Sequence, residues 1–133
     1  VGMGPLRPKV TLNTIELKSV TPTKIQLAVK LDVQNPNDFD LSLKELTYEL
    51  DGKGVVFAKG EFQDLVTAAA EKTTVVTLPV EVSVNKALAV LEQLITRGET
   101  LAVELRAQCQ FSTPVGFMGV NVKETHNIYG RPN

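Results

Sequence analysis

A strictly alternating segment from residue 25 to residue 34, stopped by Asn35-Pro36-Asn37, most constrains the fold of this chain. Its odd positions are aliphatic and its even positions mostly polar: Ile25, Leu27, Val29, Leu31 and Val33 against Gln26, Ala28, Lys30, Asp32 and Gln34. Because successive side chains of a strand point to opposite faces, one face packs on a core and the other meets water. Pro36 lacks a backbone donor and the flanking Asn residues favour turns, so the strand ends there.

Six further segments have strand character and are separated by turn signals: 9–17, 41–50, 55–62, 73–84, 99–112 and 120–129. The alternation changes parity within the first segment, which indicates a β-bulge or a strand that switches sheets, and it shifts again near Lys44-Glu45. Asp51-Gly-Lys-Gly54 predicts a hairpin turn, whereas residues 63–72 show no regular pattern. Pro79 cannot donate to a β-ladder, so the strand that contains it should lie at a sheet edge or have its Pro79 nitrogen pointing to solvent.

One amphipathic segment at about 86–97 predicts a short helix, with Asn85 as its N-cap and Gly98 just beyond its end. Seven strands with turns between them predict an all-β fold, an antiparallel seven-stranded β-sandwich of fibronectin-III or immunoglobulin-like type carrying that helix. We expect a flexible leader or tether at 1–8, one domain at 9–130 and a tail at 131–133.

Composition excludes several classes of protein. The 133 residues are 43% hydrophobic and 22% charged, which is typical of one globular domain and not of a disordered chain. The net charge of -1 comes without a basic stripe, so we expect no nucleic-acid partner. The single cysteine excludes an internal disulfide, and no apolar run is long enough to cross a bilayer.

The segment Val33-Gln-Asn-Pro-Asn-Asp-Phe39, followed by the tyrosine-containing strand at 43–50, resembles the water stress and hypersensitive response (WHy) domain. That domain belongs to the folded, atypically hydrophobic class of late embryogenesis abundant (LEA) proteins. The strand at 80–84, the leucine-rich helix and the last hairpin fit the same layout, so the resemblance covers about residues 9–130, with Asn35, Pro36 and Asn37 as a structural family motif.

The resemblance implies a fibronectin-III-like sandwich and a non-enzymatic role in tolerance of drying, cold or heat, with client proteins or envelope components as partners. Bacterial relatives of this type are often envelope lipoproteins, and the chain begins with Val1 and not with Met. We therefore expect a location in the cell envelope, on the periplasmic side, with a lipid anchor before Val1. The alternative is the cytoplasm. We expect a monomer and no cofactor.

Two groups of residues were weighed as chemical sites. If the last hairpin turns near Gly116-Phe117, Cys109 and His126 become diagonal neighbours and could form a thiolate pair. The simpler interpretation is a small buried cysteine and a histidine at a strand end. Asp38 and Asp40 beside Asn35 and Asn37 could form a Ca²⁺ loop, or they could cap the turn. We expect no catalytic residue and no metal site, and leave the Ca²⁺ alternative open.

Phe117 and Met118 lie in the segment 113–119, which we expect to form the tip of the last hairpin. There they could contact a protein partner, or fold over the end of the sandwich. The first functional hypothesis is the stress-protective domain described above. The alternative is an envelope-tethered adaptor that binds one protein partner through an edge strand or through the 113–119 tip.

Overall fold

The computed structural model describes residues 4–85, 88, 92 and 97–129, and within them almost all regular structure is β. The strands are β1 Lys9–Val20, β2 Lys24–Gln34, β3 Leu41–Gly52, β4 Val55–Ala68, β5 Thr73–Ser83, β6 Leu101–Thr113 and β7 Gly116–Ile128. All pairings between them are antiparallel.

These strands form two facing sheets. One sheet has three strands in the order β1-β2-β5, and the other has four in the order β4-β3-β6-β7. Apolar side chains from the inner faces of both sheets form one core cluster, which includes Phe111, Leu31 and Leu46. The predicted all-β antiparallel sandwich is confirmed.

Strand β2 lies at the centre of the three-stranded sheet, as its alternating pattern suggests. The odd positions from Ile25 to Val33 are buried, whereas Gln26 and Gln34 are exposed. Strand β5, which contains Pro79, is at the edge of the same sheet, so the prediction of an edge strand is confirmed. Burial of the β2 residues contributes about 1.5–3 kcal/mol for each large aliphatic side chain.

The structure has a register shift at both changes of parity. The β1–β2 register shifts between Leu12 and Thr14, and the β3–β4 and β3–β6 registers shift between Leu43 and Glu45. The prediction that residues 63–72 lack regular structure is partly wrong, because β4 continues to Ala68. A bulge at Asp64, whose φ is +50°, breaks the alternation there and hid the strand.

The last hairpin turns earlier than the sequence suggested. Thr113 pairs with Gly116, so the two-residue turn is Pro114-Val115. Phe117 and Met118 therefore do not form the tip; they lie in β7 and pair with Ser112 and Phe111. The physical reason is that Gly116, with a φ of +130°, closes the hairpin next to Thr113.

After β5, Val84 donates its backbone N–H to the carbonyl oxygen of Thr23, just before β2, at 3.0 Å. Residues 84, 85, 88 and 92 are helical, while most of the helix predicted at 86–97 lies outside the described residues. Among the residues that the structure describes, no helix has the length and apolar character needed to cross a membrane.

Candidate functional site

The Asn35-Pro36-Asn37 motif is a buried polar junction between β2 and β3. Asn35 and Asn37 are 1% and 5% exposed and are the buried polar residues of the described chain. Asn35 Nδ2 donates to the carbonyl oxygens of Phe39 at 2.9 Å and Ala68 at 3.0 Å. Asn35 Oδ1 accepts from Asn37 N and Asn37 Nδ2, both at 3.0 Å. The amide group of Asn35 thus joins the end of β4 in one sheet to the end of β2 in the other.

Asn37 extends the junction to the amino-terminal segment. Its side chain acts like a short piece of strand: Leu6 N donates to Asn37 Oδ1 at 2.7 Å, and Asn37 Nδ2 donates to Leu6 O at 2.8 Å. Arg7 donates to the carbonyl oxygen of Gly119 in β7. Residues 6 and 7, which belong to the predicted leader, therefore make specific contacts with two parts of the domain.

The same hydrogen bonds decide what the candidate Ca²⁺ loop does. The amide oxygens of Asn35 and Asn37 accept from protein N–H groups, and Asp40 Oδ1 accepts from Ala70 N at 2.9 Å. These groups therefore cap backbone donors around the turn, which is the second role weighed for them. Within the described residues, no three His, Cys, Asp or Glu side chains are grouped to hold a metal ion.

Cys109 and His126, weighed as a thiolate pair, are not brought together. Cys109 pairs with Val120, and His126 pairs with Val103, because the hairpin turns at Pro114-Val115. Cys109 is 3% exposed, and burial raises the pKa of its thiol to about 11. A buried thiol without a base beside it is a poor nucleophile.

His126 and its neighbour Glu124 instead face β1 across the gap between the two sheets. Glu124 Oε2 accepts from Leu12 N at 2.6 Å, and His126 Nε2 lies 3.2 Å from Thr14 Oγ1. Strand β1 is at a sheet edge, so the N–H groups on its outer side have no strand partner and the Leu12 N–H can make this contact. We call these two contacts the β1–β7 seam. The sequence does not predict the seam, because the contacting residues are 112 positions apart. The one indication in the sequence is that Glu124 and His126 are polar residues that continue, at every second position, the series of core-facing valines along β7.

A depression of about 760 Å³ runs across the outer face of the four-stranded sheet. Part of this face is a charged row. Arg106 on β6 contacts Glu104 at 2.7 Å, Glu49 at 3.0 Å and Asp51 at 3.6 Å. Its hydrogen bonds to Glu49 and Glu104 raise the pKa of Arg106. Arg106 is thus engaged by three carboxylates, and the carboxylates outnumber the guanidinium in this row.

Next to the charged row lies an uncharged region that we call the amide patch: Gln108 and Gln110 on β6, and Asn121 on β7. Phe117, 69% exposed, borders it on the same face of β7. Gly119 lies between Phe117 and Asn121 and leaves a gap in the row of outward side chains. The predicted contact residue Phe117 is therefore exposed, but on a strand and not at a tip, while Met118 is only partly exposed on the opposite face.

Comparison with known proteins gives one family. A family model described as late embryogenesis abundant protein matches residues 30–126. The chain is 27% identical over 79 residues to late embryogenesis abundant protein Lea14-A of Gossypium hirsutum. It is 25% identical over 108 residues to a desiccation-related protein of Arabidopsis thaliana. These matches cover 59% and 81% of this chain, but only 52% and 64% of the two relatives.

Solved structures agree on the fold. A solution structure of an Arabidopsis thaliana protein superposes with a TM-score of 0.79 at 19% identity, covering 95% of this chain and 83% of that one. The solution structure of a late embryogenesis abundant protein from the same plant gives a TM-score of 0.75 at 24% identity, covering 92% of this chain and 71% of that one. A crystal structure of a protein from Archaeoglobus fulgidus gives a TM-score of 0.64 at 13% identity, covering 92% of this chain and 100% of that one.

Proposed function

This chain belongs to the late embryogenesis abundant protein family, and from that premise we propose that it is a non-enzymatic stress-protective domain. It shields client proteins or envelope components by weak surface contacts during drying, cold or heat. The names of two relatives, a late embryogenesis abundant protein and a desiccation-related protein, support a role in stress.

One structural observation carries the proposal: all four edge strands, β1, β4, β5 and β7, have a feature that obstructs strand addition. Strand β5 contains Pro79, and β4 is bulged at Asp64. Strand β1 has two register shifts. In β7, the carbonyl oxygen of Gly119 is already bonded to Arg7. Pro, bulges and occupied backbone groups are the devices by which β-proteins avoid pairing edge to edge.

Edge protection matters for a protein that works when water is withdrawn. Drying raises the concentration of every protein, and an open edge would then pair with a client or with a second copy of the chain. A domain whose edges are obstructed can stay folded and separate under those conditions. Its outer face, rich in paired charges and amides, offers many weak polar contacts. These properties suit a shield better than a tight binder.

The non-enzymatic part of the proposal rests on the reactive residues. Cys109 is buried with a raised pKa, and the hydroxyl beside His126 is that of Thr14, which lies at the β1–β7 contact between the two sheets. Neither residue lines the depression of about 760 Å³ on the outer face; Cys109 lines a smaller one of about 430 Å³ but is only 3% exposed. Cys109 and His126, the cysteine and histidine considered as a thiolate pair, lie at separate positions of the sheet and do not activate one another.

The test is protection of lactate dehydrogenase through drying and rehydration, with the purified domain beside serum albumin at equal mass. We expect the domain to preserve more activity than albumin. A Phe117→Ser variant should protect equally well, because shielding by many weak contacts does not depend on one side chain. Protection no better than that of albumin would refute the proposal.

A second function, an adaptor that binds one protein partner, is favoured by a specific observation. Val115 and Phe117 are 78% and 69% exposed and lie within one hairpin end. Because the sheet edges are obstructed, this hairpin end is a better binding surface for a protein partner than an edge strand is. A pull-down with the wild type and with Phe117→Ser would identify a single partner that is lost on substitution. The matched control is Val75→Ser, which replaces an exposed apolar side chain on β5, away from the hairpin.

Finer assignments remain proposals. The sheet order β1-β2-β5 and β4-β3-β6-β7 supports a fibronectin-III-like sandwich. The Asn35-Pro36-Asn37 motif supports the WHy subgroup of bacterial type. We also propose a location in the cell envelope, with the cytoplasm as the alternative. Fractionation of cells that express the tagged full-length protein would separate the two locations.

A further inference from the structure

We propose that the outer face of the four-stranded sheet binds a neutral oligosaccharide, with the Phe117 ring as a stacking platform and the amide patch as its hydrogen-bonding partner. The site is separate from the buried Asn35 junction and from the β1–β7 seam. Neither the stress-protective function nor the adaptor function requires it.

Strand register places these side chains together. On β6 and β7, Ser112 pairs with Phe117, Gln110 with Gly119, and Gln108 with Asn121. Side chains two residues apart on a strand point to the same face, so all of these positions face outward. The neighbouring strand β3 contributes Glu45 and Thr47 to the same rows, because they pair with Gln110 and Gln108.

A depression of about 430 Å³ lies over these rows and is lined by Phe117, Gly119 and the amide patch, together with Glu45, Thr47 and Cys109. Gly119 creates it, since a side chain there would fill the space between Phe117 and Asn121. A Cβ atom built at Gly119 would lie no closer than 3.9 Å to another heavy atom, the carbonyl oxygen of Cys109. The gap is thus open space above the sheet, next to the exposed side chain of Phe117.

The amide patch has hydrogen-bonding capacity that the protein does not use. In the part of the chain that the structure describes, the side chains of Gln108, Gln110 and Asn121 form no hydrogen bond with another residue. Each amide has an acceptor oxygen and two N–H donors, which matches the paired donor and acceptor of a sugar hydroxyl. By contrast, Arg106 in the adjacent row is committed to three carboxylates.

The chemistry of the patch favours a neutral sugar over other ligands. The polarised C–H bonds on one face of a pyranose ring suit the electron-rich face of an aromatic ring. Glu45, the one carboxylate that lines the smaller depression, can accept from hydroxyls and would repel phosphate or nucleic acid. Phe117 is the one large apolar side chain that lines this depression, so a protein partner would find a single anchor here and would also need Val115 at the turn, outside the depression.

The experiment is a titration of the ¹⁵N-labelled protein with maltohexaose, cellohexaose and chitohexaose, followed by NMR. We expect at least one of them to shift the side-chain amide signals of Gln108, Gln110 and Asn121, and the backbone signal of Gly119, with millimolar affinity. No shift at 20 mM of any of the three, or shifts confined to other surfaces, would overturn the proposal.

Two substitutions test the platform. Phe117→Ser should weaken binding by about tenfold or more, whereas Phe117→Tyr, which keeps the ring, should bind as the wild type does. Val115→Ser, at the neighbouring turn, removes an equally exposed apolar side chain outside the patch and should have no effect. Equal binding by the wild type and Phe117→Ser, or a loss caused by Val115→Ser, would contradict the role of Phe117.

Discussion

Asn35 uses both halves of its side-chain amide inside the protein. Its nitrogen donates to the carbonyl oxygens of Phe39 and Ala68, and its oxygen accepts from Asn37. No buried side-chain nitrogen or oxygen of the described residues lacks a partner. Polar groups in a core cost free energy unless they are paired, so this network is stabilising only while it is complete.

Replacement of Asn35 by Ala should therefore destabilise the fold by about 3 kcal/mol or more, because several buried groups lose their partner at once. Urea denaturation measures the change in the free energy of unfolding. The control is Gln34→Ala, which truncates the exposed neighbour and should change stability by less than about 0.5 kcal/mol. A loss below about 1 kcal/mol in Asn35→Ala would show that the network is not structural.

The Cys109 thiol should react slowly in the folded protein. Its pKa is raised by burial from 9.0 to about 11, so at pH 8 the thiolate fraction falls by about 100-fold, and access is restricted as well. The protonated form is favoured in the folded state, so the labelling rate should rise about tenfold with each pH unit and level off only above about pH 11. Labelling with a maleimide, before and after denaturation in guanidinium, measures the ratio of the Cys109 labelling rates in the folded and unfolded states. Equal rates in both states would contradict burial of this thiol.

For single residues, the sequence predicts the local conformation that a side chain favours but not its distant hydrogen-bond partners. The turn-forming character of Asn35 and Asn37 is a property of the residues themselves. The contact between Asn35 and Ala68 spans 33 residues, and that between Leu12 and Glu124 spans 112. Their partners are set by how two sheets face each other, which no local pattern encodes.

Packing between two neighbouring strands also depends on glycine positions, where the absence of a side chain makes room for a large neighbour. Tyr48 on β3 pairs with Gly60 on β4 and stacks on Phe62, with ring centroids 5.7 Å apart. A Cβ atom at Gly60 would lie 3.0 Å from both Cε1 and Oη of Tyr48. Gly60 thus makes room for the tyrosine ring, and burial raises the pKa of that phenol.

Gly60→Ala should destabilise the protein by about 1–3 kcal/mol, since the Tyr48 ring must move out of its packed position. The matched control is Gly119→Ala in β7, where the added methyl group meets no atom closer than 3.9 Å. That variant should be neutral or slightly more stable, because Ala restricts the unfolded chain. Thermal unfolding of the two variants side by side tests the contrast, and equal losses would contradict it.

Strand patterns in the sequence identify which residues face the core but locate the turns less well. The alternation of 101 to 111 predicts the buried face of β6, and the structure has the same residues buried. The position of the last turn was predicted wrongly because Phe117 and Met118 were placed in the connecting loop, whereas they are the first large side chains of β7. Displacement of that turn changes every pairing along β7, which is why the Cys109–His126 neighbourhood was wrong.

For the whole molecule, the two sheets meet differently along their two open sides. On one side, Glu124 and His126 of β7 reach β1 and close the gap with polar contacts. On the other side, β4 and β5 are linked by the short connection after Ala68, and their edges carry the bulge at Asp64 and Pro79. The protection of that second side depends on backbone features and not on a covering side chain.

Pro79 is the simplest of these features to remove. Strand β5 pairs with β2 without a register shift from Thr73 to Ser83, so Pro79 occupies a position where the β2–β5 ladder needs no donor. Pro79→Thr should therefore leave the free energy of unfolding within about 0.5 kcal/mol of the wild type, while adding an N–H group to an edge strand.

If edge protection underlies stress tolerance, the Pro79→Thr protein should aggregate more after drying and rehydration, because its β5 edge can accept another strand. Light scattering of rehydrated samples measures this, with Thr77→Ala on the same face of β5 as the control that keeps Pro79. The variant should also protect lactate dehydrogenase less well, since aggregated domain presents less surface to clients. Unchanged scattering with a folded variant would mean that the β5 edge is guarded by something other than Pro79, and the argument from edge protection to function would fail.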